Sequence, residues 1–104
     1  MDELLTIRTI EGGYELICPL QFNSSAYPFL MRQLNSLPAG LILQINLTAT
    51  EHMTSSGMGI LLMVKSEVDK RGGQMRLLVK KGPVEKSLRI ANFFSYFSVI
   101  IVNE

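Results

Sequence analysis

The sequence predicts a single α/β domain built on a mixed β-sheet. Short apolar and β-branched runs follow an initial hairpin pattern and then alternate with amphipathic helical patterns. Strands that alternate with helices pair in parallel through crossover connections. With 104 residues, of which 47% are hydrophobic and 18% charged, the chain can form one hydrophobic core. We therefore expect one domain over residues 1–104, with the element order ββαβαβαβ and room for one more short helix.

The first two strands are predicted at residues 4–10 and 14–20. Between them lies Glu11-Gly12-Gly13, which is typical of a hairpin turn. Pro19 cannot donate to a strand ladder, so it should end the second strand or lie at an edge. Alternation in the second run predicts one apolar face, formed by Tyr14, Leu16, Cys18 and Leu20.

The first helix is predicted to begin near Ser25. Residues 23–25 offer several capping side chains, and Pro28 is tolerated only in a first helical turn. Leu37-Pro38-Ala39-Gly40 then stops the helix.

The second half continues the alternation with two strand–helix pairs and a final strand. A buried strand is expected at 41–47, and a helix follows that buries Ile60, Leu61, Val64 and Val68 and ends at Arg71-Gly72-Gly73. A strand is predicted at 75–79, followed by a helix that is opened by Lys81-Gly82-Pro83 and buries Val84, Leu88 and Ala91. The last predictions are a strand at 99–102 and, before it, an aromatic cluster that forms core and packing surface, made of Phe93, Phe94, Tyr96 and Phe97.

The segment 52–62 joins the central strand to the central helix. Either Ser55 or Ser56 can cap this helix through its hydroxyl group, and Gly57 and Gly59 allow close approach of a neighbour's backbone or of a partner. Because orphan N–H groups and the positive helix dipole meet there, an added phosphate would be tolerated. Met58 is expected to be exposed for protein binding, and Met63 is expected in the core.

The stretch INLTATEHMTSSGMGILLMVKSEVDKRGGQMRLLV resembles the STAS domain family, which includes the bacterial anti-sigma factor antagonists. Their signature is D-S-[ST]-G-[LM]-G at the start of a helix, followed later by G-G and a strand. Thr54 stands where most antagonists carry Asp. The resemblance implies a mixed sheet with an N-terminal hairpin and crossover helices mainly on one face.

The resemblance also implies a phosphorylatable switch without a cofactor of its own. The family's phosphoacceptor maps to Ser55, and the expected partner-binding residues are Met53, Thr54, Ser56, Gly57, Met58 and Gly59. The implied partners are an anti-sigma-type serine kinase and a PP2C-type phosphatase, to which the ATP and metal belong. The alternative is a non-phosphorylated STAS accessory subunit bound to the ATPase of a lipid-transport ABC transporter, which Thr54 in place of Asp favours.

Composition argues against several other classes. His52 is the only histidine and Cys18 the only cysteine, so a catalytic centre or a metal site built on several such ligands is not expected. No 18-residue apolar run and no basic leader are present, so we expect a cytoplasmic protein without membrane insertion. Cys18 is expected to be a buried strand residue.

The charge is distributed unevenly along the chain. Residues 1–52 carry two basic and five acidic side chains, and residues 53–104 carry eight and four. The seven residues Lys70, Arg71, Arg76, Lys80, Lys81, Lys86 and Arg89 form either one basic docking surface or a solvated face. The aromatic residues do not interleave with them, so nucleic-acid binding is not expected. Whether the chain self-associates is left open by the sequence.

Overall fold

The computed structural model describes residues 5–102. It confirms the predicted α/β class with a mixed five-stranded sheet and three α-helices. The strands are β1 (Thr6–Ile10), β2 (Gly13–Ile17), β3 (Gln21–Phe22), β4 (Ile42–Asn46), β5 (His52–Met53), β6 (Gln74–Lys80) and β7 (Ser98–Val102). The helices are α1 (Tyr27–Ser36), α2 (Ser55–Lys70) and α3 (Pro83–Ile90), with 3₁₀ turns at Ser24–Ala26 and Phe93–Ser95.

The main sheet has the order β1-β2-β4-β6-β7. β1 and β2 form the predicted antiparallel hairpin, and every other neighbouring pair is parallel. Leu16, Ile45 and Leu77 lie side by side across the three central strands and are buried. The helices bury their apolar faces in the same core through Leu30, Leu34, Ile60, Leu61, Val64, Val68, Val84 and Leu88. All three helices therefore cover one face of the sheet.

The opposite face carries a row of polar side chains. Arg8, Glu15, Gln44 and Arg76 are register partners on four adjacent strands. The Glu15 side chain is fully buried, and its carboxylate accepts hydrogen bonds from Arg8 Nε, from Gln44 Nε2 at 2.6 Å and from Asn46 Nδ2 at 3.2 Å. The alternation correctly placed Leu16 on a buried apolar face, but it did not predict the burial of Glu15 on the other face of the strand. Leu20, expected on the apolar face, lies beyond β2 and is 40% exposed.

Two proline predictions are confirmed. β2 ends at Ile17, two residues before Pro19, so buried Cys18 lies just past the strand and not within it. Its N–H donates to the Asn46 carbonyl at 2.9 Å, which continues the alignment of the two segments. Pro28 lies in the first turn of α1, and Asn23 caps the preceding 3₁₀ turn by accepting from the Ser25 N–H. Leu4, included in the first predicted strand, lies outside the described residues.

The basic residues of the second half are engaged with different parts of the fold. Arg71 donates to the Leu34 carbonyl and to the Asn35 side chain, both at 2.8 Å, and so fixes the end of α1 to the end of α2. Arg76 donates to Gln44 on the helix-free face, and Arg89 pairs with Glu85 along α3. These three arginines therefore do not form one basic docking surface.

The aromatic segment after α3 is only partly in the core. Phe93 and Phe97 are buried and stack with ring centroids 5.2 Å apart. Phe94 is partly buried against the core and Tyr96 is 58% exposed, so these two residues form the surface part of the cluster. Among residues 5–102, the structure contains no helix with the length and apolarity needed to cross a membrane.

Candidate functional site

The segment from β4 to α2 is held in place by hydrogen bonds to the chain around β3. The Glu51 and His52 N–H groups both donate to the Leu20 carbonyl, at 2.8 and 3.1 Å. The buried Thr50 hydroxyl donates to the Pro19 carbonyl at 2.7 Å. β5 also pairs in parallel with β3, a two-residue contact that the sequence patterns did not predict. The start of α2 therefore has a fixed position at the edge of the core.

Thr54 is the N-cap of α2. Its backbone is extended, its Oγ1 accepts from the Gly57 N–H at 3.0 Å, and its carbonyl accepts from the Met58 N–H at 3.0 Å. The expectation that Ser55 or Ser56 caps the helix was wrong. Serine and threonine are both good N-cap residues, so their order in the chain does not decide which one caps. Thr54 thus performs the capping that a carboxylate at this position can also perform.

Ser55 and Ser56 differ in what their hydroxyl groups contact. Ser56 Oγ lies 2.9 Å from Thr54 Oγ1, so it is already part of the cap. Ser55 is the first residue of α2 and is exposed, and among residues 5–102 its hydroxyl has no hydrogen-bond partner. The structure therefore leaves Ser55, and not Ser56, with a free nucleophilic oxygen at the surface.

Gly57 touches the backbone of β3. A Cβ atom at this position would lie 2.4 Å from the Phe22 carbonyl oxygen and 3.1 Å from Phe22 Cδ2. The same test at Gly59 finds no atom within 4 Å. The predicted close approach of a neighbouring backbone is therefore confirmed for Gly57. At Gly59 no neighbouring backbone approaches, so the surface above that residue is open and approach of a partner is the alternative that remains.

The methionines of the site are arranged differently from the expectation. Met53 and Met58 are half-buried against the core, whereas Met63 is 50% exposed. Helix phase explains this, because Met63 is rotated by about 100° from Val64 and about 140° from Val68 around the helix axis and so lies outside the buried face. Met63 and its neighbour Leu62, which is 42% exposed, are site residues that the sequence analysis missed, although the phase of the buried residues gave the signal.

An exposed stripe runs along α2 from the free serine. We call it the α2 stripe and define it as Ser55, Gly59, Leu62, Met63 and Ser66, which follow one another at helical spacing. Its two large apolar side chains are exposed, and Gly59 leaves the backbone between them and Ser55 uncovered. The stripe therefore combines a free hydroxyl with an apolar surface of the kind that protein partners contact.

A cleft of about 220 Å³ lies between the segment before α2 and the start of α3. Residues 51–54 form one wall, and Pro83, Val84 and Ser87 of α3 form the other. His52 is exposed at this wall. Within residues 5–102, no cluster of three or more His, Cys, Asp or Glu side chains is placed to hold a metal ion.

We expect Thr54→Ala to lower the free energy of unfolding by about 1 kcal/mol, because the Gly57 N–H loses its acceptor. Thr54→Asp should keep the full stability, since an aspartate caps equally well and favours the positive end of the helix dipole. Urea unfolding followed by circular dichroism measures both values. Equal losses for the alanine and aspartate variants would contradict the assignment of Thr54 as the cap.

A model of a known protein family matches the chain. The family model described as STAS domain matches residues 9–103, which is nearly the whole chain. Among curated proteins, none matches the chain. The matched range includes β4, the complete 52–62 segment and the strands and helices that follow it.

Proposed function

The chain belongs to the STAS domain family, and on that premise we propose that it is a phosphorylatable binding switch, similar to the anti-sigma factor antagonists of bacterial partner-switching pathways. The observation that carries this proposal is the exposed, unpartnered hydroxyl of Ser55 at the first position of α2. Ser56 and Thr54, the other hydroxyl residues of the segment, are engaged with each other. Ser55 is therefore the proposed phosphoacceptor.

The helix start suits a phosphate group. Thr54 uses the N–H groups of Gly57 and Met58, whereas those of Ser55 and Ser56 have no acceptor among the described residues. A phosphoserine adds a charge of about −1.5 to −2 and three acceptor oxygens. Because helix N-termini favour anions, the phosphate leaves the fold intact and changes only the surface that a partner meets.

The proposed partners follow from this chemistry. A serine kinase of the anti-sigma type transfers phosphate from its own ATP to Ser55, and a PP2C-type phosphatase with its own metal ions removes it. The unphosphorylated protein binds the kinase or another regulator, and the phosphorylated protein does not. In this account the chain itself is a binding partner and a substrate, not an enzyme.

The α2 stripe supplies the rest of the proposed binding surface. Leu62 and Met63 lie two turns from Ser55 along the same exposed side of the helix. A partner that contacts them also covers the Ser55 hydroxyl, and a phosphate there would be desolvated in the complex. This places phosphorylation and binding in direct competition. Among the expected partner-binding residues, Thr54, Ser56 and Gly57 set the conformation of the helix start. Met53 and Met58 pack between this segment and the core.

We expect the double substitution Leu62→Ser and Met63→Ser to weaken partner binding about tenfold or more. The unfolding free energy should change by only about 1 kcal/mol, since both side chains are exposed, at 42% and 50%. Calorimetric titration of the partner recovered from the native host measures the affinity. Ile90→Ser is the matched control, because Ile90 is 87% exposed on α3, outside the stripe. An equal loss of affinity in the control variant would contradict the assignment of the stripe.

Phosphosite mapping of the protein purified from its native host tests the proposed switch. We expect phosphate on Ser55 in the wild type, none in Ser55→Ala, and phosphate still on Ser55 in Ser56→Ala. The two variants differ only in which of two adjacent serines is removed. A phosphate that persists in Ser55→Ala, or its absence from the wild type in every growth condition, would contradict the proposal.

A second candidate is a constitutive accessory subunit of a lipid-transport ABC transporter. Thr54 favours it, because the cap is complete without the aspartate that most antagonists carry. Affinity purification separates the two candidates. A stoichiometric complex with a transporter ATPase that survives phosphatase and kinase treatment supports the accessory subunit. Binding that depends on phosphate supports the switch.

A further inference from the structure

β7 forms one edge of the main sheet and differs from the other edge. Its five residues, Ser98–Val102, contain no charged side chain and no proline. Within residues 5–102, β6 is the one strand that β7 pairs with. Its outer backbone groups are therefore left without a strand partner in the described part of the chain. Exposed N–H and C=O groups along an apolar edge form a template for pairing with another strand.

The opposite edge is protected. β1 exposes Thr6, Arg8 and Thr9, and the Arg8 side chain pairs with Glu15. A charged side chain on an edge strand is a common device against sheet extension. β7 has no such device, and Ile100 at its centre is 41% exposed. The two edges of the same sheet are therefore not equivalent.

The β7 sequence is complementary to itself in one antiparallel register. With Ile100 opposite Ile100 of a second copy, Val99 meets Ile101 and Ser98 meets Val102. Residues 98, 100 and 102 share one face, so each side chain meets a partner on its own side of the extended sheet. No like charges are brought together, and the β-branched residues of the pair favour strand pairing.

We propose that two copies of this chain associate through β7 about a two-fold axis at Ile100, so that the two five-stranded sheets form one continuous ten-stranded sheet. This association uses β7 of both copies and leaves only the two protected β1 edges, so it closes as a dimer. A contact made mainly by five residues of each chain is small, and the dimer is therefore weak and depends on concentration. The inference is independent of the proposed phosphorylation of Ser55.

Cysteine cross-linking tests the register. In Ile100→Cys, the two introduced thiols face each other at a Cα separation of about 4.5 to 5.5 Å, which suits a disulfide. In the control Ser98→Cys, the two thiols lie about 14 Å apart along the strands and cannot bond. The native Cys18 is buried, and burial raises the pKa of its thiol, so it does not compete in either variant.

Under mild oxidation we expect Ile100→Cys to form a covalent dimer and Ser98→Cys to stay monomeric. Mixing Ser98→Cys with Val102→Cys should give a cross-linked pair, because these residues are opposite in the proposed register. Equal cross-linking of the two single variants, or none in Ile100→Cys, would overturn the register.

Light scattering on the wild type tests the association without any substitution. We expect the apparent mass to rise with concentration from 11.6 kDa toward twice that value. Ile100→Lys should stay at the monomer mass, because two like charges would be opposite each other. Ile90→Lys, the same change at an exposed position outside β7, should behave as the wild type. A wild type that stays monomeric up to its solubility limit overturns the proposal.

Discussion

Gly57→Ala is expected to lower the free energy of unfolding by about 2 kcal/mol or more. The added Cβ would lie 2.4 Å from the Phe22 carbonyl oxygen, which is much closer than van der Waals contact. That carbonyl also accepts from the Thr54 N–H at 3.2 Å, so it cannot move without disturbing the helix cap. The start of α2 would have to shift away from β3, and the surface around Ser55 would shift with it.

Gly59→Ala is the matched control for this prediction. It adds the same methyl group to the same helix two residues later, where no atom lies within 4 Å. Alanine is the better helix former, so this variant should gain about 0.5 to 1 kcal/mol. Urea unfolding of both variants measures the difference. Similar stabilities would show that the close approach at Gly57 has no structural importance.

Glu15→Ala is expected to lower the free energy of unfolding by about 2 to 3 kcal/mol. The fully buried carboxylate accepts from the side-chain amides of Gln44 and Asn46, which would lose their acceptor. The ion pair with Arg8 contributes little to this value, because the Arg8 side chain is 62% exposed and solvated. Most of the loss therefore comes from buried donors left without a partner.

Two further variants distinguish the loss of the buried hydrogen bonds to Glu15 from a general effect of removing a negative charge. Glu15→Gln keeps an acceptor oxygen but brings a second amide donor toward Gln44, so an intermediate loss is expected. Glu11→Ala removes a carboxylate from the exposed hairpin turn and should change the stability by less than about 0.5 kcal/mol. Thermal or urea unfolding gives the order of the three. A loss in Glu11→Ala as large as that in Glu15→Ala would contradict the account.

The central helix shows what the sequence could predict. The spacing of Ile60, Leu61, Val64 and Val68 predicted the buried face of α2, and all four residues are buried. The same phase places Met63 on the exposed side, and the default assignment of a methionine to the core overlooked it. The signal for the α2 stripe was therefore present in the sequence, because hydrophobic periodicity fixes both faces of a helix at once.

Other features depend on contacts between distant parts of the chain. β3 and β5 have two residues each, too few for a periodic pattern, and exist because the segments lie next to each other in the fold. Glu15 is buried because Gln44 and Asn46 on β4 supply its hydrogen bonds, about thirty positions away. From the local pattern alone, a glutamate in a strand is predicted to be exposed. A buried charge needs hydrogen-bond partners, and these come from distant residues that only the fold brings close.

The candidate site was predicted in position but not in detail. The sequence indicated the start of α2 and, through its resemblance to a family, Ser55. It did not distinguish the three adjacent hydroxyl residues by their local roles. The structure does so, because Thr54 accepts from the helix backbone, Ser56 contacts Thr54, and the Ser55 hydroxyl is free.

The most direct test of the proposed switch compares two forms of the same protein against one partner. The dissociation constant of the partner recovered from the native host should be measured for the protein with and without phosphate on Ser55, together with the thermal stability of both forms. A desolvated phosphate at an interface costs several kcal/mol, so we expect affinity to fall by about 100-fold or more while the melting temperature stays nearly constant. Equal affinities of the two forms, or loss of the fold on phosphorylation, would contradict the account.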